Sequence, residues 1–540
     1  MATRLTVLAC YFIVVLALGL LAKSRLKDDP AQYFLAGRGL RTFVLIGTMA
    51  ATNFSAFTVF GASGAGYRDG LAFFPIMAFG TGFMALSFWI IGRRVWEWGR
   101  RENLVTPAEL VGAIYGHRGL SALFALVLVV FTVPYLALQP LAGGLVLKEL
   151  FGLPQWAGAG VVTLVIAAYT MRGGLRAVAW TDVFQGLLMV GLMLAALVAV
   201  AGAEGGLAKA FGRVHAEHPE LFSRPGGQGV YLPGVWFSYL LLWFYCDPMF
   251  PQLFQRFYSA RSPRGLARTA MWYPAICTLV FALPIMLGLL GRLEFGGLAG
   301  KQADNILPML ATRIGGDLLG ACILAAGLAA LMSTMDSQLL TLSSIFTRDL
   351  LPLIRGDKEV SPLWGRVFVL VLALAGLALA ANPPASILQI ATWAFTGFAV
   401  LFPTVFFGLY LPRPRAAAGL ASILAGQGLT LAYAAGWLAA PDGFLAAVPV
   451  MALSTVAYLT VHLALGSSGR PQVSTRAWRF AAVFALIFAA GQDYWRWDKV
   501  GDLWLGLPTW AWYFVGLSGL QTLATYWWLR PRRGRGSGSE

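Results

Sequence analysis

Charge is scarce in this sequence, and negative charge is scarcest. Only 12% of the 540 residues are charged, with 24 Asp and Glu against 40 Lys and Arg. A soluble domain carries about 25% charged residues, so a water-facing globular surface is excluded. Cysteine and histidine are rarer still, at four each. Cys10, Cys246, Cys277 and Cys322 all fall within or beside apolar runs, which excludes a disulfide framework and leaves packing as their role. The chain has no H-E-x-x-H, no P-loop and no C-x-x-C. A membrane enzyme, for example a transferase acting on lipid-linked substrates, therefore lacks a catalytic constellation. His117 and His462 lie near apolar boundaries and read as snorkelling surface groups.

What is present is apolar length. The chain is 58% hydrophobic with a mean hydropathy of +0.70, and apolar runs recur from Leu5 to Trp528. Each is about 20 residues, enough to cross a core of roughly 30 Å as a helix. No barrel-type alternation appears, so the sequence predicts an all-α polytopic membrane protein with about fifteen spans. The formal charge of +16 would suit a nucleic-acid partner, but its distribution argues against one. Lys and Arg concentrate on alternate connections (23–41, 93–118, 172–176, 256–268, 348–366, 413–415, 470–479 and 530–535), which is the positive-inside pattern of a cytoplasmic (plasma) membrane protein. It places the N-terminus outside and the C-terminus inside. Residues 5–22 read as a retained first helix, because Lys23, Arg25 and Lys27 follow the apolar run instead of preceding it.

No connection is long enough to fold as a soluble domain. The largest, about 204–229, is polar and assigned outside; its His215 and His218 stand at i, i+3, too few ligands for a metal site. Residues 467–540 change character, with a Trp-rich stretch suited to the interface and a basic tail suited to anionic inner-leaflet lipid. They are expected to form a helical hairpin appended to a core spanning 1–466. Nothing in the sequence requires an oligomer.

Two spans are interrupted by their own composition. Residues 47–66, "GTMAATNFSAFTVFGASGAG", mix small and hydroxyl residues with an Asn, and residues 243–256, "WFYCDPMFPQLFQR", carry Pro248 and Pro251 beside Asp247. Unwound backbone survives at membrane depth only where it is buried in protein or lines a cavity. As second and seventh spans they hold equivalent positions in two five-helix units, repeat 1 at about 42–203 and repeat 2 at about 230–410. Such paired interruptions point to the binding site of a secondary transporter. A third stretch, "AALMSTMDSQLLTLSS" (329–344), is unusually polar for a span. Ala330, Ser333 and Thr334 stand at i, i+3 and i+4, so a carbonyl and two hydroxyls share one face of a helix. Hard oxygens in that number suit a hard monovalent cation, and carbonyls freed around Ala51 to Phe54 would complement them. The alternative is that both hydroxyls bond back to carbonyls of their own helix.

The sequence resembles the sodium:solute symporters, possibly their bacterial monocarboxylate-permease-like branch. The match is carried by "FLAGRGL" (34–40), "ATNFSAFTVFGASG" (51–64), "GGLRAVAWTDVFQG" (173–186), "PQLFQRF" (251–257) and "ALMSTMDSQLL" (330–340), in order and over roughly residues 5–465. The resemblance implies a LeuT-type inverted-repeat core of 5+5 helices with additional helices. It also implies a coupling Na+ bound by carbonyls of Ala51, Phe54 and Ala330 and hydroxyls of Ser333 and Thr334. Asp182 matches a family carboxylate near the sodium path, and it could equally serve as an N-cap for the sixth span.

The implied activity is sodium-coupled symport of a small organic solute into the cell, with no enzymatic step. Asn53, Ser55, Phe57 and Thr58 are the expected substrate contacts, with Phe74 and Tyr245 as walls. This apolar pocket favours a monocarboxylate or amino acid over a sugar, and an unwound helix offers N–H groups to a carboxylate. The alternatives are proton-coupled uptake, a sodium- or solute-responsive sensor component, and a channel. The sequon Asn53-Phe54-Ser55 lies within the membrane and is not a glycosylation site.

Overall fold

The computed structural model describes residues 2–21, 29–314, 316–356, 362–466 and 475–530. Lys23, Arg25, Lys27, the start of the appended segment at 467–474 and the basic tail at 531–540 lie outside them. The protein is mostly helical: in hydrocarbon every backbone group must pair within its own segment, and a helix achieves this with no partner. Ten helices among the described residues are long and apolar enough to cross a membrane. Several other expected spans are present as shorter pieces, such as Pro233–Cys246 with 14 residues and Thr475–Ala490 with 16.

Both interruptions read from composition appear as breaks. The helix Thr42–Asn53 ends where Phe54 turns to φ −85°, ψ 86°, and the chain re-enters a helix through a wide turn at Phe57–Gly61 and Ala62–Asp69. Freed donors are recaptured locally: the Ala56 N–H donates to Gln139 Oε1 at 3.1 Å and the Phe57 N–H to Ser55 Oγ at 3.2 Å. In the other span Pro233–Cys246 tightens into Asp247–Met249, becomes extended at Phe250 (ψ 121°), and restarts as Pro251–Ser259. Pro251 offers no N–H and biases Phe250 away from the helical region, which fixes the break there.

Residues 155–203 are two helices joined end to end at Gly174 (φ 62°, ψ −178°), within the basic connection 172–176. A Cβ at Gly174 would lie 2.7 Å from the Tyr33 carbonyl oxygen, so only glycine fits this φ and this approach. Against the second of these helices lies Thr42–Asn53. A Cβ on Gly47 would stand 2.7 Å from Val183 Cγ2, and one on Gly186 3.2 Å from the Ala51 Cβ. Two missing side chains thus let the helices approach closely, as membrane helices do through small residues. The polar helix Gly316–Ile345 is buried almost continuously from Gly320 onward, so its hydroxyls face protein.

Residues 475–529 carry two helices, Thr475–Ala490 and Thr509–Leu529, joined through a two-stranded antiparallel ladder, Leu503–Trp504 with Leu507–Pro508. The pair is tied to the rest of the protein. Trp510 Nε1 donates to the Phe222 carbonyl at 3.0 Å, and Trp236 Nε1 donates to the Gly491 carbonyl at 3.1 Å. At the centre Arg224, from the long polar connection, pairs with Asp493 at 3.0 Å, both fully buried. The guanidinium sits 4.1 Å from the Trp497 ring centroid and 4.8 Å from Phe514. Burial lowers Arg224 to about 10 and raises Asp493, so desolvation outweighs the mutual attraction and the pair fixes position more than it stabilises. His215 packs edge-on against Phe222, and His218 Nδ1 lies 3.3 Å from Glu220 Oε1. No group of three metal-binding side chains occurs among the described residues, and the four cysteines are free thiols.

Asp493→Ala leaves a buried guanidinium unpaired and is expected to cost about 3–5 kcal/mol. Arg224→Leu with Asp493→Leu is expected to cost far less. Thermal unfolding of both variants in detergent checks the ordering.

Candidate functional site

The hydroxyls read from the sequence meet both sets of carbonyls offered to them. Ser333 Oγ donates to the Ala51 carbonyl at 3.0 Å and lies 3.0 Å from the Ala330 carbonyl. Thr334 Oγ1 lies 3.0 Å from the Thr52 carbonyl and 3.4 Å from that of Ala330. The back-bonding alternative and the cross-helix reading therefore hold together. Five hard oxygens and no thiol converge in a fully buried place, a donor set that fits a small alkali cation. Thr334 meets Thr52 where the resemblance had pointed to Phe54. Phe54 is the residue at which the helix ends, and its ring packs edge-on to Phe281, 5.5 Å between centroids.

Asp182 is not an N-cap. It lies within Gln155–Ala203, wholly buried, and its Oδ2 accepts from Arg256 Nη2 at 2.8 Å, Thr48 Oγ1 at 2.5 Å and Thr52 Oγ1 at 3.1 Å. Arg256 Nη2 also donates to Ser337 Oγ at 2.8 Å, and Arg256 Nε donates to Thr48 Oγ1 at 2.8 Å. The cation beside Asp182 in this structure is thus a guanidinium, one turn from the oxygen cluster. The charge pattern assigns Arg256 to the basic connection 256–268, whereas it is fully buried at the site; its place near the end of the otherwise apolar "PQLFQRF" was the available signal.

Beside the oxygen cluster a small cavity is lined by Asn53, Phe57, Thr58, Met77, Thr81, Tyr135, Trp243, Asp247, Phe250, Phe281 and Phe395. Three expected contacts, Asn53, Phe57 and Thr58, are among them, and three are not. Ser55 spends its hydroxyl capping the Phe57 N–H. Phe74 is buried elsewhere, while its neighbour Phe73 packs on Phe57 at 6.4 Å. Tyr245 stacks on Phe402 at 4.3 Å; two positions along a helix turn a side chain by about 200°, and Trp243 takes the cavity wall. Asp247 is the most consequential residue not anticipated. Its signal was a carboxylate inside a proline-broken span.

Comparison with known proteins places this geometry in context. Residues 33–426 match the sodium:solute symporter family. The chain is 29% identical to the sodium/pantothenate symporter of Escherichia coli (strain K12) over 466 residues, covering 84% of this chain and 94% of that protein. It is 28% identical to the osmoregulated proline transporter of Bacillus subtilis (strain 168) over 467 residues, with the same coverage. In fold it is similar to a Na+-coupled sialic acid symporter in a substrate-bound outward-open state, with a TM-score of 0.71 and 19% identity, covering 87% of this chain and 99% of that one.

Arg256→Met strands Asp182 without its countercharge and is expected to lose about 3–5 kcal/mol. Adding Asp182→Asn is expected to restore part of that loss. A double-mutant cycle of thermal unfolding reads the coupling directly.

Proposed function

The chain belongs to the sodium:solute symporter family, and on that premise we propose that it imports a small organic acid or amino acid across the plasma membrane by alternating access. Na+ is the coupling ion of the family. In the proposed arrangement it is held by the carbonyls of Ala51 and Ala330 and the hydroxyls of Ser333 and Thr334, with the Thr52 or Phe54 carbonyl completing the set. The observation that carries the reading is the pair of contacts from Ser333 and Thr334 to Ala51 and Thr52. They join the broken span to the polar helix at the point where Asn53 enters the cavity.

Coupling follows from that adjacency. Three consecutive residues serve two ligands: the carbonyls of Ala51 and Thr52 face the cation, while Asn53 faces the solute. A cation that draws the two helices together also sets the cavity wall, and by reciprocity a bound solute favours the cation. A potential near 100 mV contributes about 2.3 kcal/mol per Na+ and a tenfold gradient about 1.4. Together they support roughly 500-fold accumulation of a neutral solute. Asp182, held by Arg256, is proposed to position the Thr48–Thr52 face and not to ligate the ion.

The rest of the architecture is read in the same way. The core at 1–466 is two inverted five-helix repeats, about 42–203 and 230–410, with additional helices that bring the total to about fifteen spans. Residues 467–540 are an appended hairpin. The basic connections face the cytoplasm, with the N-terminus outside and the C-terminus inside. The small-carboxylate preference is supported by a cavity of rings and few polar groups, and by the proline and pantothenate named for two relatives.

Ser333→Ala with Thr334→Ala is expected to abolish sodium-dependent thermal stabilisation and uptake into proteoliposomes, while leaving the protein folded. An unchanged sodium response in the double variant would refute the site.

A further inference from the structure

The cavity beside the oxygen cluster holds a carboxyl group, Asp247, with no ion-pair partner among the described residues. Asp247 is 3% exposed. One carboxylate oxygen accepts from Asn53 Nδ2 at 3.4 Å and the other from Cys246 Sγ at 3.3 Å, both uncharged donors. Three other buried carboxylates face an arginine: Asp182 at 2.8 Å, Asp493 at 3.0 Å and Asp304 at 3.5 Å. Asp247 forms no ion pair among the described residues. Arg256, nine residues further along the same broken span, is fully engaged by Asp182, Ser337 and the Gln252 carbonyl. A buried carboxylate without a fixed countercharge is costly unless a cation arrives from outside the chain.

The walls suit an organic cation. Phe395 packs against four other rings of the cavity: Tyr135 and Phe250 at 4.9 Å, Trp243 at 5.6 Å and Phe57 at 5.7 Å between centroids. Aromatic faces attract ammonium groups and shed the water that a bare metal ion would need. The same cavity also presents two unanswered donors. Trp243 Nε1 and Thr58 Oγ1 are buried without a hydrogen-bond partner and both line it, a cost recovered only when an acceptor binds.

Resting on the sodium-coupled reading above, we propose that the solute is a small zwitterion, its ammonium set against Asp247 and the aromatic box and its carboxylate met by Trp243 Nε1 and Thr58 Oγ1. A sugar would leave Asp247 unbalanced, and a plain carboxylate would add a second negative charge to it. Asp247 is on this account the residue that selects amino acids over organic acids.

The test is thermal stabilisation of the full chain in detergent, in Na+ and in K+, by three pairs of equal shape that differ in the ammonium. They are L-proline with cyclopentanecarboxylate, L-valine with 2,3-dimethylbutanoate of matching configuration, and glycine betaine with 3,3-dimethylbutanoate. In Na+, at least one ammonium compound is expected to act at a concentration about tenfold or more below its isostere, as the loss of a buried charge partner implies. Asp247→Asn is expected to bring the members of that pair close together while Na+ alone still stabilises the protein. Equal action within every pair, no shift from any of the six, or discrimination that survives Asp247→Asn overturns the proposal. Ammonium preference that is identical in K+ would instead overturn sodium coupling and leave the role of Asp247 standing.

Discussion

Backbone that leaves a helix inside a membrane must find partners, because no water is there to supply them. At residues 51–57 the partners come from three places. Gln139 and Ser55 take the freed N–H groups, and Ser333 and Thr334 reach the carbonyls just before the break. The contacts tie the helix of Gln139 and the helix of Ser333 and Thr334 to the same few residues. The break is therefore a junction, and the polarity of the helix Gly316–Ile345 is explained by what it serves.

The junction is held in place by charge as well as by hydrogen bonds. Asp182 and Arg256 lie on separate elements, and both engage Thr48, on the helix between them. Desolvation makes such a pair a weak source of net stability but a strong constraint on register, since a slip of one turn would leave two ions uncompensated. Gly47 and Gly186 permit the approach that this geometry needs. A transporter that must close and open around one site gains from a core whose alternative packings are few and discrete.

The two C-terminal helices repeat the device at another place. Arg224 and Asp493 join the long polar connection to the turn between the two added helices, within a ring of tryptophans. Gln521 of the second added helix lies 3.4 Å from the Phe79 carbonyl, in the wide turn Ile76–Gly80 next to Met77 and Thr81 of the cavity wall. The extension thus leans on the segment that shapes the cavity.

The sequence by itself determined what composition and spacing can carry. Helical membrane architecture follows from apolar length, the two interruptions from Asn, Gly and Pro inside apolar runs, and the hydroxyl face of Ala330, Ser333 and Thr334 from helical periodicity. Phe57 and Thr58 were legible for the same reason, being next to a break that must line something. Tertiary structure alone decided which rings turn into the cavity, because Trp243 and Tyr245 are indistinguishable by type and neighbourhood until the helix is packed. It alone decided that Asp182 meets Arg256, 74 positions away, and that Asp247 forms no ion pair among the described residues. Charge pairing across a fold depends on distances in space, and those are absent from the order of residues along the chain.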